Sequence, residues 1–351
     1  MKMKRMRSLF ILFFIYIVTV LSSKYVGESY HTHFYPLYDR YLSALFSRVS
    51  FSVGDFLYLI VGFWILITLI RLLLKKQWLY CMKYIGICIF AFLCMFTFSW
   101  GLNNYKTPLH EKLGLEKQYS AEDLDLFIYK KIESINLLHL EWKKDANAVV
   151  DIEKDYEYFY KEAKENMAKV WFLKSYSLEA ISPAKPSIYS WLLTRAGFSG
   201  YFNPFTHENQ INTYIPSVGM PVTYTHELTH QLGFASEAEA NFIAYYTLKQ
   251  SKNKLLVYCA ELYGLKYALK EIRKTNEEKY LLLLSQLNPG IVQNIQDSEA
   301  FWQKNKNFSS NLLKPLYGVF LKANNQKQGI QSYNLMVNLM INYEKKYGVM
   351  L

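Results

Sequence analysis

Long apolar segments occupy most of the first hundred residues of this chain. Charged side chains occur in them only near their ends. Each segment is close to the roughly 20 residues that a helix needs to cross a bilayer. Because a backbone in lipid must satisfy its own hydrogen bonds, such segments are expected to be helices. We therefore predict a membrane domain over residues 1–101. Its three transmembrane helices are expected at about residues 8–23, 53–74 and 79–100.

Basic residues indicate the orientation of these helices. The first hundred residues carry 11 Lys and Arg against 3 Asp and Glu, a net charge of +8. The whole chain is +11, so residues 101–351 contribute the remaining +3. The N-terminus and the turn from Arg71 to Lys83 are basic and should stay in the cytoplasm. Three crossings then place the chain after Trp100 outside the cytoplasm, and cleavage of the first segment as a signal peptide would not change that side.

The positive charge therefore belongs to the membrane domain. No basic groove or recognition motif for nucleic acid appears in the rest of the chain, so the predicted partners are a lipid bilayer and a peptide or protein, not nucleic acid.

The second half of the chain contains the pattern H-E-x-x-H, formed by His226, Glu227 and His230. Residues four apart on a helix lie one turn above each other on the same face, so both imidazoles can reach one metal ion. Glu227 lies beside them, where a metal-bound water would be. Two neutral nitrogen ligands and a carboxylate base are what a zinc hydrolase needs. We predict one Zn²⁺ per chain, with His226 and His230 as ligands and Glu227 as the catalytic residue.

The flanks of the motif predict two closely packed helices. Pro221 suits the first turn of a helix, because its missing N–H would have no partner there. Gly233 is placed to end that helix in a left-handed conformation. Ser236 looks like the N-cap of a second helix running to about Lys249, with Glu239 completing a capping box.

A zinc site with three protein ligands needs one more donor, and the candidates are Glu237 and Glu239. The capping box gives Glu239 a local role, so Glu237 is the favoured ligand and Glu239 the alternative. Asn241, one turn after Glu237, is placed to hydrogen-bond a ligand. Both glutamates could instead be solvated residues that the helix dipole favours at a helix start.

Other segments bear on the site less directly. The helical period disappears between residues 198 and 216, where a short run begins at Gln210, and we predict a small sheet whose edge lies beside the metal helix. His207 in this stretch is expected at the surface. His31 and His33 are expected in an aromatic-rich interfacial loop between the first two spans, without a metal.

The last helix, predicted over residues 331–347, carries Tyr333 and Tyr343. A tyrosine from a late helix often supports the oxyanion in such enzymes, although packing is the stronger expectation for each.

Four longer runs carry a resemblance to known proteins: F-S-V-G-D (51–55), G-Y-F-N-P-F-T (200–206), N-T-Y-I-P (212–216) and H-E-L-T-H-Q-L-G-F-A-S-E-A-E-A-N-F (226–242). With these runs the chain resembles an uncharacterised bacterial family, a domain of unknown function whose members look like membrane-anchored zincins. At longer range the chain is similar to gluzincin metallopeptidases, in which two histidines and a downstream glutamate hold zinc. In membrane members of that group the glutamate opens an E-x-x-x-D pattern; here Glu237 has the spacing, with Asn241 in place of aspartate.

The predicted fold is mainly α with a small β-sheet: three N-terminal transmembrane helices, then a zincin-like, gluzincin-type domain over residues 102–351. The predicted function is a membrane-bound zinc metallopeptidase of the bacterial inner membrane, multi-pass, with its catalytic domain in the periplasm. It would hydrolyse peptide bonds of an envelope or extracytoplasmic protein or peptide. The alternative is a catalytically silent, zinc-stabilised scaffold that binds a peptide or envelope partner. The presence of Glu227 favours catalysis, and the lack of interior charges in the spans disfavours a transporter.

Overall fold

The computed structural model describes the backbone of residues 2–306 and 333–348 and of eight positions between them. The side chains of residues 2–14, 333 and 334 are not described. Much of the predicted first span, the side chain of Tyr333 and the predicted start of the last helix at residues 331–332 therefore lie outside the described residues.

Four helices make up most of the first hundred residues. They are α1 (Lys2–Ser29), α2 (Tyr35–Phe46), α3 (Val53–Leu74) and α4 (Trp78–Ser99). A π-helical turn joins α1 to α2, and a tight turn makes α3 and α4 an antiparallel hairpin. α1 runs alongside α4 in the same direction. The Tyr16 ring meets that of Phe90 at 5.7 Å, and the Tyr30 hydroxyl donates to the Phe98 carbonyl at 3.0 Å.

Two helices of the described part of the chain, α3 and α4, are long and apolar enough to cross a membrane. The sequence predicted a third span at residues 8–23, which is not among them. That segment lies within α1, and the side chains of its first seven residues are outside the described part. α1 is also longer than the apolar run, because it begins among basic residues and continues past Lys24 and Glu28. The most apolar stretch of α3 is not buried inside the protein at all, and only 11% of the corresponding stretch of α4 is buried.

The described residues after α4 form a helical body around one continuous apolar core. α6 begins at a capping box in which Ser120 and Asp123 each accept a hydrogen bond from the other's backbone. α9 and α10 are buried along almost their whole length. The helices are α5 (Leu109–Lys112), α6 (Ala121–Lys143), α7 (Tyr156–Met167), α8 (Ser190–Ala196), α9 (Met220–Gln231), α10 (Glu237–Leu248), α11 (Lys254–Thr275), α12 (Glu277–Leu284), α13 (Pro289–Asn305) and α14 (Tyr333–Tyr347).

A three-stranded sheet packs against α9. Its strands are β1 (Lys185–Pro186), β2 (Gly200–Asn203) and β3 (Glu208–Ile211), in the order β1-β3-β2. β3 is parallel to β1 and antiparallel to β2. The predicted strand near Gln210 is therefore the central one and ends at Ile211, while β2 is the edge strand beside α9. The prediction of a mainly helical chain with a small sheet is confirmed.

The segment between the first two predicted spans is mostly helical and packs against the body, so the prediction of a loop is wrong, while its position at the membrane interface stays a prediction. The buried face of α2 consists of Tyr35, Asp39 and Ser43, spaced four apart on one side of the helix. The Tyr35 hydroxyl donates to the carbonyl of Gln231 in α9 at 2.9 Å. Residues of the two predicted domains thus contact each other closely.

His31 is buried and its Nδ1 lies 2.9 Å from Oδ1 of Asn103, whereas His33 is exposed. The expectation that these histidines form no metal site together stays a prediction.

Candidate metal centre

Helix α9 carries the H-E-x-x-H residues, and it begins and ends at the residues that the sequence indicated. Pro221 lies in the first turn. Gly233 follows the last turn at φ +83°, a left-handed conformation that glycine adopts without a Cβ clash. Its N–H bonds the carbonyl of His230 at 2.8 Å. The turn after Gly233 leads directly into α10, which begins at Glu237.

Glu237 lies opposite both histidines. Its Oε2 is 3.4 Å from Nε2 of His226 and its Oε1 is 3.8 Å from Nε2 of His230. The two imidazole rings are 4.5 Å apart and nearly perpendicular, so their Nε2 atoms converge on this carboxylate. Among the described residues, ligand atoms of His226, Glu227 and His230 also lie within 4.8 Å of one another. The structure therefore brings together all four residues that the sequence singled out.

Glu239 faces away from this cluster. Its carboxylate accepts a hydrogen bond of 2.6 Å from the backbone N–H of Leu109. Its own N–H reaches the Ser236 hydroxyl at 3.5 Å, so Ser236 is the N-cap as predicted. The carboxylate does not return to the Ser236 backbone, and the predicted capping box is incomplete. The Glu239 carboxylate is thus engaged in a hydrogen bond, but its partner lies 130 positions away in the sequence.

Glu227 is buried beside the histidines and against strand β2. One of its carboxylate oxygens, Oε2, has no hydrogen-bond partner among the described residues. A Cβ placed on Gly200 would stand 2.6 Å from the other oxygen, Oε1, so only glycine allows this approach. Burial raises the pKa of Glu227 to about 8, with His226 opposing the shift and Glu237 adding to it. An unpartnered buried carboxyl of this kind is typical of a functional site.

The histidines are held by different neighbours. His230 Nδ1 lies 2.7 Å from the carbonyl of Phe234, so this nitrogen carries the proton and Nε2 is free to bind a metal. Burial lowers the pKa of His230 to about 4, which keeps the ring neutral at pH 7. Burial also lowers the pKa of His226, but Glu237 and other polar neighbours, including Asn241, outweigh it and the net shift is upward.

Asn241 contributes to the raised pKa of His226, but Nδ1 of His226 has no hydrogen-bond partner among the described residues. The predicted hydrogen bond from Asn241 to a metal ligand stays a prediction. Oδ1 of Asn241 accepts a hydrogen bond of 2.7 Å from the hydroxyl of Tyr263 in α11. The site is therefore tied to a third helix behind α10.

A buried polar network behind the site was not predicted. Gln231, next to His230, donates to Ser43 at 2.8 Å and to Asp39 at 3.3 Å, while its Oε1 accepts from Asn209 at 2.6 Å. Asp39 also pairs with Nδ1 of His207 at 2.8 Å. Local sequence does not indicate this network, because the partners of Gln231 lie far away in the chain.

His207 is fully buried, so its predicted surface position is wrong. It has φ +52° and lies among the rings of Tyr35, Tyr38 and Phe202, because the turn after β2 folds it inward onto α2. Tyr343 also lies away from the site. Its hydroxyl donates to that of Tyr246 at 2.8 Å within the core, so packing accounts for it.

Comparison with known proteins gives a family match that covers most of the chain. A family model described as a protein of unknown function, DUF3810, matches residues 30–341. The chain belongs to this family. The match to DUF3810 begins at the π-helical turn before α2 and ends in α14, so it includes the sheet, α9 and α10. No curated protein and no solved structure matches the chain.

Proposed function

We propose that this DUF3810 protein is a membrane-bound zinc metallopeptidase that cuts an extracytoplasmic protein or peptide. The observation that carries the proposal is the convergence of His226, His230 and Glu237, with the unpartnered Oε2 of Glu227 beside them. In this reading the domain is zincin-like and of gluzincin type.

The distances between the donors fit zinc. Ligands about 2.0–2.2 Å from a tetrahedral zinc stand about 3.3–3.6 Å apart. The His226–Glu237 distance of 3.4 Å falls in this range, and the His230–Glu237 distance of 3.8 Å is slightly longer. Two neutral imidazoles and one carboxylate are also a ligand set of catalytic zinc sites, which keep a fourth position for water. His226, His230 and Glu237 would hold the ion.

Bound zinc would supply Lewis acidity toward the water and the scissile carbonyl. Glu227 takes the proton of the attacking water and gives it to the leaving amine. The pKa of about 8 applies to the cluster without a cation. A positive charge nearby lowers the pKa of a carboxyl, so Glu227 would be ionised and able to act as a base.

Strand β2 offers a place for the substrate backbone. The Asn212 N–H bonds the Ser199 carbonyl at 3.0 Å, which makes these two residues a hydrogen-bonded pair of the antiparallel ladder. Because such pairs alternate, the backbone groups of Gly200 and Phe202 point away from β3. A peptide that adds to this edge as a strand would lie beside Glu227, since Gly200 contacts its carboxylate.

The membrane part of the proposal is supported by α3 and α4, which leave their apolar side chains outside the protein core. α1 runs parallel to α4 and would be a third crossing. The basic residues at the start of α1 and at the α3–α4 turn would then lie together in the cytoplasm, with the metal centre on the periplasmic side.

Metal analysis of the purified full-length protein, prepared without chelator, tests this proposal first. We expect about one zinc per chain, lost in His226→Ala and retained in His33→Ala, which removes an exposed histidine. Absence of zinc from the unmodified protein would end the enzyme proposal. Zinc binding without any peptidase activity would instead support the zinc-stabilised scaffold.

A further inference from the structure

We infer that the active site lies at the membrane surface and that its substrates are peptide segments next to a membrane anchor. This inference rests on the proposed function, in which α3 and α4 cross the bilayer. It adds the class of substrate and a surface that docks on the lipid.

The end of α4 touches the metal helix. Trp100 is the first residue after α4, and its ring centre is 6.0 Å from that of His230 and 5.9 Å from that of Phe202 in β2. A single aromatic side chain therefore separates the end of a predicted span from a proposed metal ligand.

The start of α3 is bound to the sheet. The carboxylate of Glu208 in β3 accepts hydrogen bonds from the N–H groups of Val53 at 3.1 Å and Gly54 at 2.6 Å. Asp55, in the first turn, is fully buried and accepts from the Ile188 N–H at 2.8 Å and from the Tyr201 hydroxyl. Since α3 and α4 are antiparallel, the start of α3 and the end of α4 face the same side of the bilayer. The sheet is held at that side.

The turn between β2 and β3 extends along α3 and α4, past the start of α3 and the end of α4. Phe205 in this turn packs against Tyr58 of α3 at 6.1 Å and Phe92 of α4 at 5.9 Å. Phe92 lies seven residues before the end of α4, which corresponds to about 10 Å along a helix axis. The tip of the sheet thus enters the layer occupied by the apolar helices.

Helix α8 and the turn before it present an exposed apolar face. Trp191 and Leu192 in α8 are 55% and 52% exposed, and Ile188, two residues before α8, is 51% exposed. Because the Ile188 N–H is bonded to Asp55 in the first turn of α3, this face lies beside the start of α3. The guanidinium of Arg195 lies 4.2 Å above the Trp191 ring. Exposed tryptophan and aliphatic side chains beside a basic group suit the boundary between headgroups and hydrocarbon. The occupant of this face is the bilayer that α3 enters a few residues away.

This placement favours tethered substrates. A peptide joined to a membrane span is held at the depth of β2, whereas a soluble peptide must reach the edge from bulk water. Tethering raises the effective concentration, and gains of about 10²–10⁴-fold are usual for linked binding events.

The first experiment measures depth and does not depend on catalysis. The full-length protein, with its four cysteines replaced by alanine, is reconstituted in vesicles of phosphatidylethanolamine and phosphatidylglycerol. A spin label is placed at Leu192→Cys or, as the control, at Leu137→Cys. Leu137 is 59% exposed and lies on α6, a helix that packs chiefly with α11. We expect the label at position 192 to be reached by oxygen in the lipid and shielded from an aqueous nickel complex, and the label at 137 to behave oppositely. Equal exposure of both labels to nickel would overturn the docking surface.

The second experiment uses a reporter protein with one membrane span followed by a randomised segment of about 20 residues. It is supplied either in the same vesicles or as the segment without its span. We expect the tethered form to be cut at least about 10²-fold faster. Trp191→Glu combined with Leu192→Glu should reduce only the tethered reaction, while Leu137→Glu should change neither.

The outcomes separate the two proposals. Equal cleavage of both forms would overturn the substrate class and leave the peptidase standing. Cleavage of neither form, with the wild type indistinguishable from Glu227→Gln, would overturn both.

Discussion

Gly200 and Glu227 are in such close contact that a Cβ on Gly200 would stand 2.6 Å from the glutamate Oε1. The same Cβ would stand 2.6 Å from the backbone carbonyl of Gln210 in β3. We therefore expect Gly200→Ala to shift β2 as well as the Glu227 carboxylate, and to lower the peptidase rate by about 10²-fold or more, as loss of a positioned base does. Zinc content should stay near one per chain, because Gly200 does not touch the histidines. Gly219→Ala is the matched control, since a Cβ there meets nothing within 4 Å. Full activity of Gly200→Ala would show that the close contact with Gly200 does not position the Glu227 carboxylate.

The third metal ligand can be identified by comparing two glutamates. Glu237→Ala removes the carboxylate that faces both histidines, and we expect zinc affinity to fall by more than the 10–100-fold typical of changes to supporting residues. Glu239→Ala should retain zinc, although the loss of its bond to the Leu109 N–H should cost about 1–3 kcal/mol of stability. Competition with a chelator measures both affinities. The reverse order would identify Glu239 as the ligand.

Lys106 gives a prediction about pH. It is buried, its Nζ has no hydrogen-bond partner among the described residues, and it lies 3.3 Å from the centre of the Phe234 ring. Burial lowers its pKa from 10.5 to about 7, with Glu239 opposing the shift. Its contribution to stability is therefore fully present above pH 10.5 and is lost as pH falls toward 7, where the unfolded chain is protonated and the folded protein is not.

We expect Lys106→Met to be more stable than the wild type near pH 7 and to lose this advantage progressively up to pH 10. Denaturant unfolding of the purified protein over this range provides the measurement. Lys117→Met is the control, because the Lys117 side chain is 73% exposed. A stability difference between Lys106→Met and the wild type that does not change with pH would contradict the assignment.

Orientation in the membrane follows from the basic N-terminus and the basic α3–α4 turn. A reporter that is active only outside the cytoplasm, fused after Leu351, should be active. Fusion of the same reporter in the turn at Lys75 should be inactive. Activity of a cytoplasm-only reporter at Leu351 would show that the span count or the orientation is wrong.

Local signals explain why the site helices could be predicted. Gly233 ends α9 through its own backbone conformation, and Ser236 begins α10 through a bond to a residue three positions on. The H-E-x-x-H spacing and the turn after it therefore determine most of the cluster from about twenty consecutive residues. Glu237 was selected by a capping argument that proved incomplete, since Glu239 is bound by Leu109 instead.

The remaining features depend on partners that are far apart in the sequence. Asp39 and His207 are separated by 168 positions, and no periodicity in either segment indicates that they pair. The buried face of α2 is polar as well as apolar, so hydrophobic periodicity does not indicate this helix. The close approach of Gly200 to Glu227 likewise depends on how the sheet packs on α9. These relationships arise from tertiary packing, which local patterns do not encode.

Replacement of Glu227 by glutamine separates its proposed role as the base of a zinc peptidase from zinc binding. Membranes of a deletion strain are supplied with the full-length wild type or with Glu227→Gln, and new protein N-termini are identified by mass spectrometry while zinc is measured in parallel. Glutamine keeps the size of the side chain and removes the base, so both proteins should hold about one zinc, and the rate of cleavage should fall by about 10²–10⁴-fold in the variant. New N-termini should appear only with the wild type. The same termini at the same rate from zinc-loaded Glu227→Gln would contradict this role.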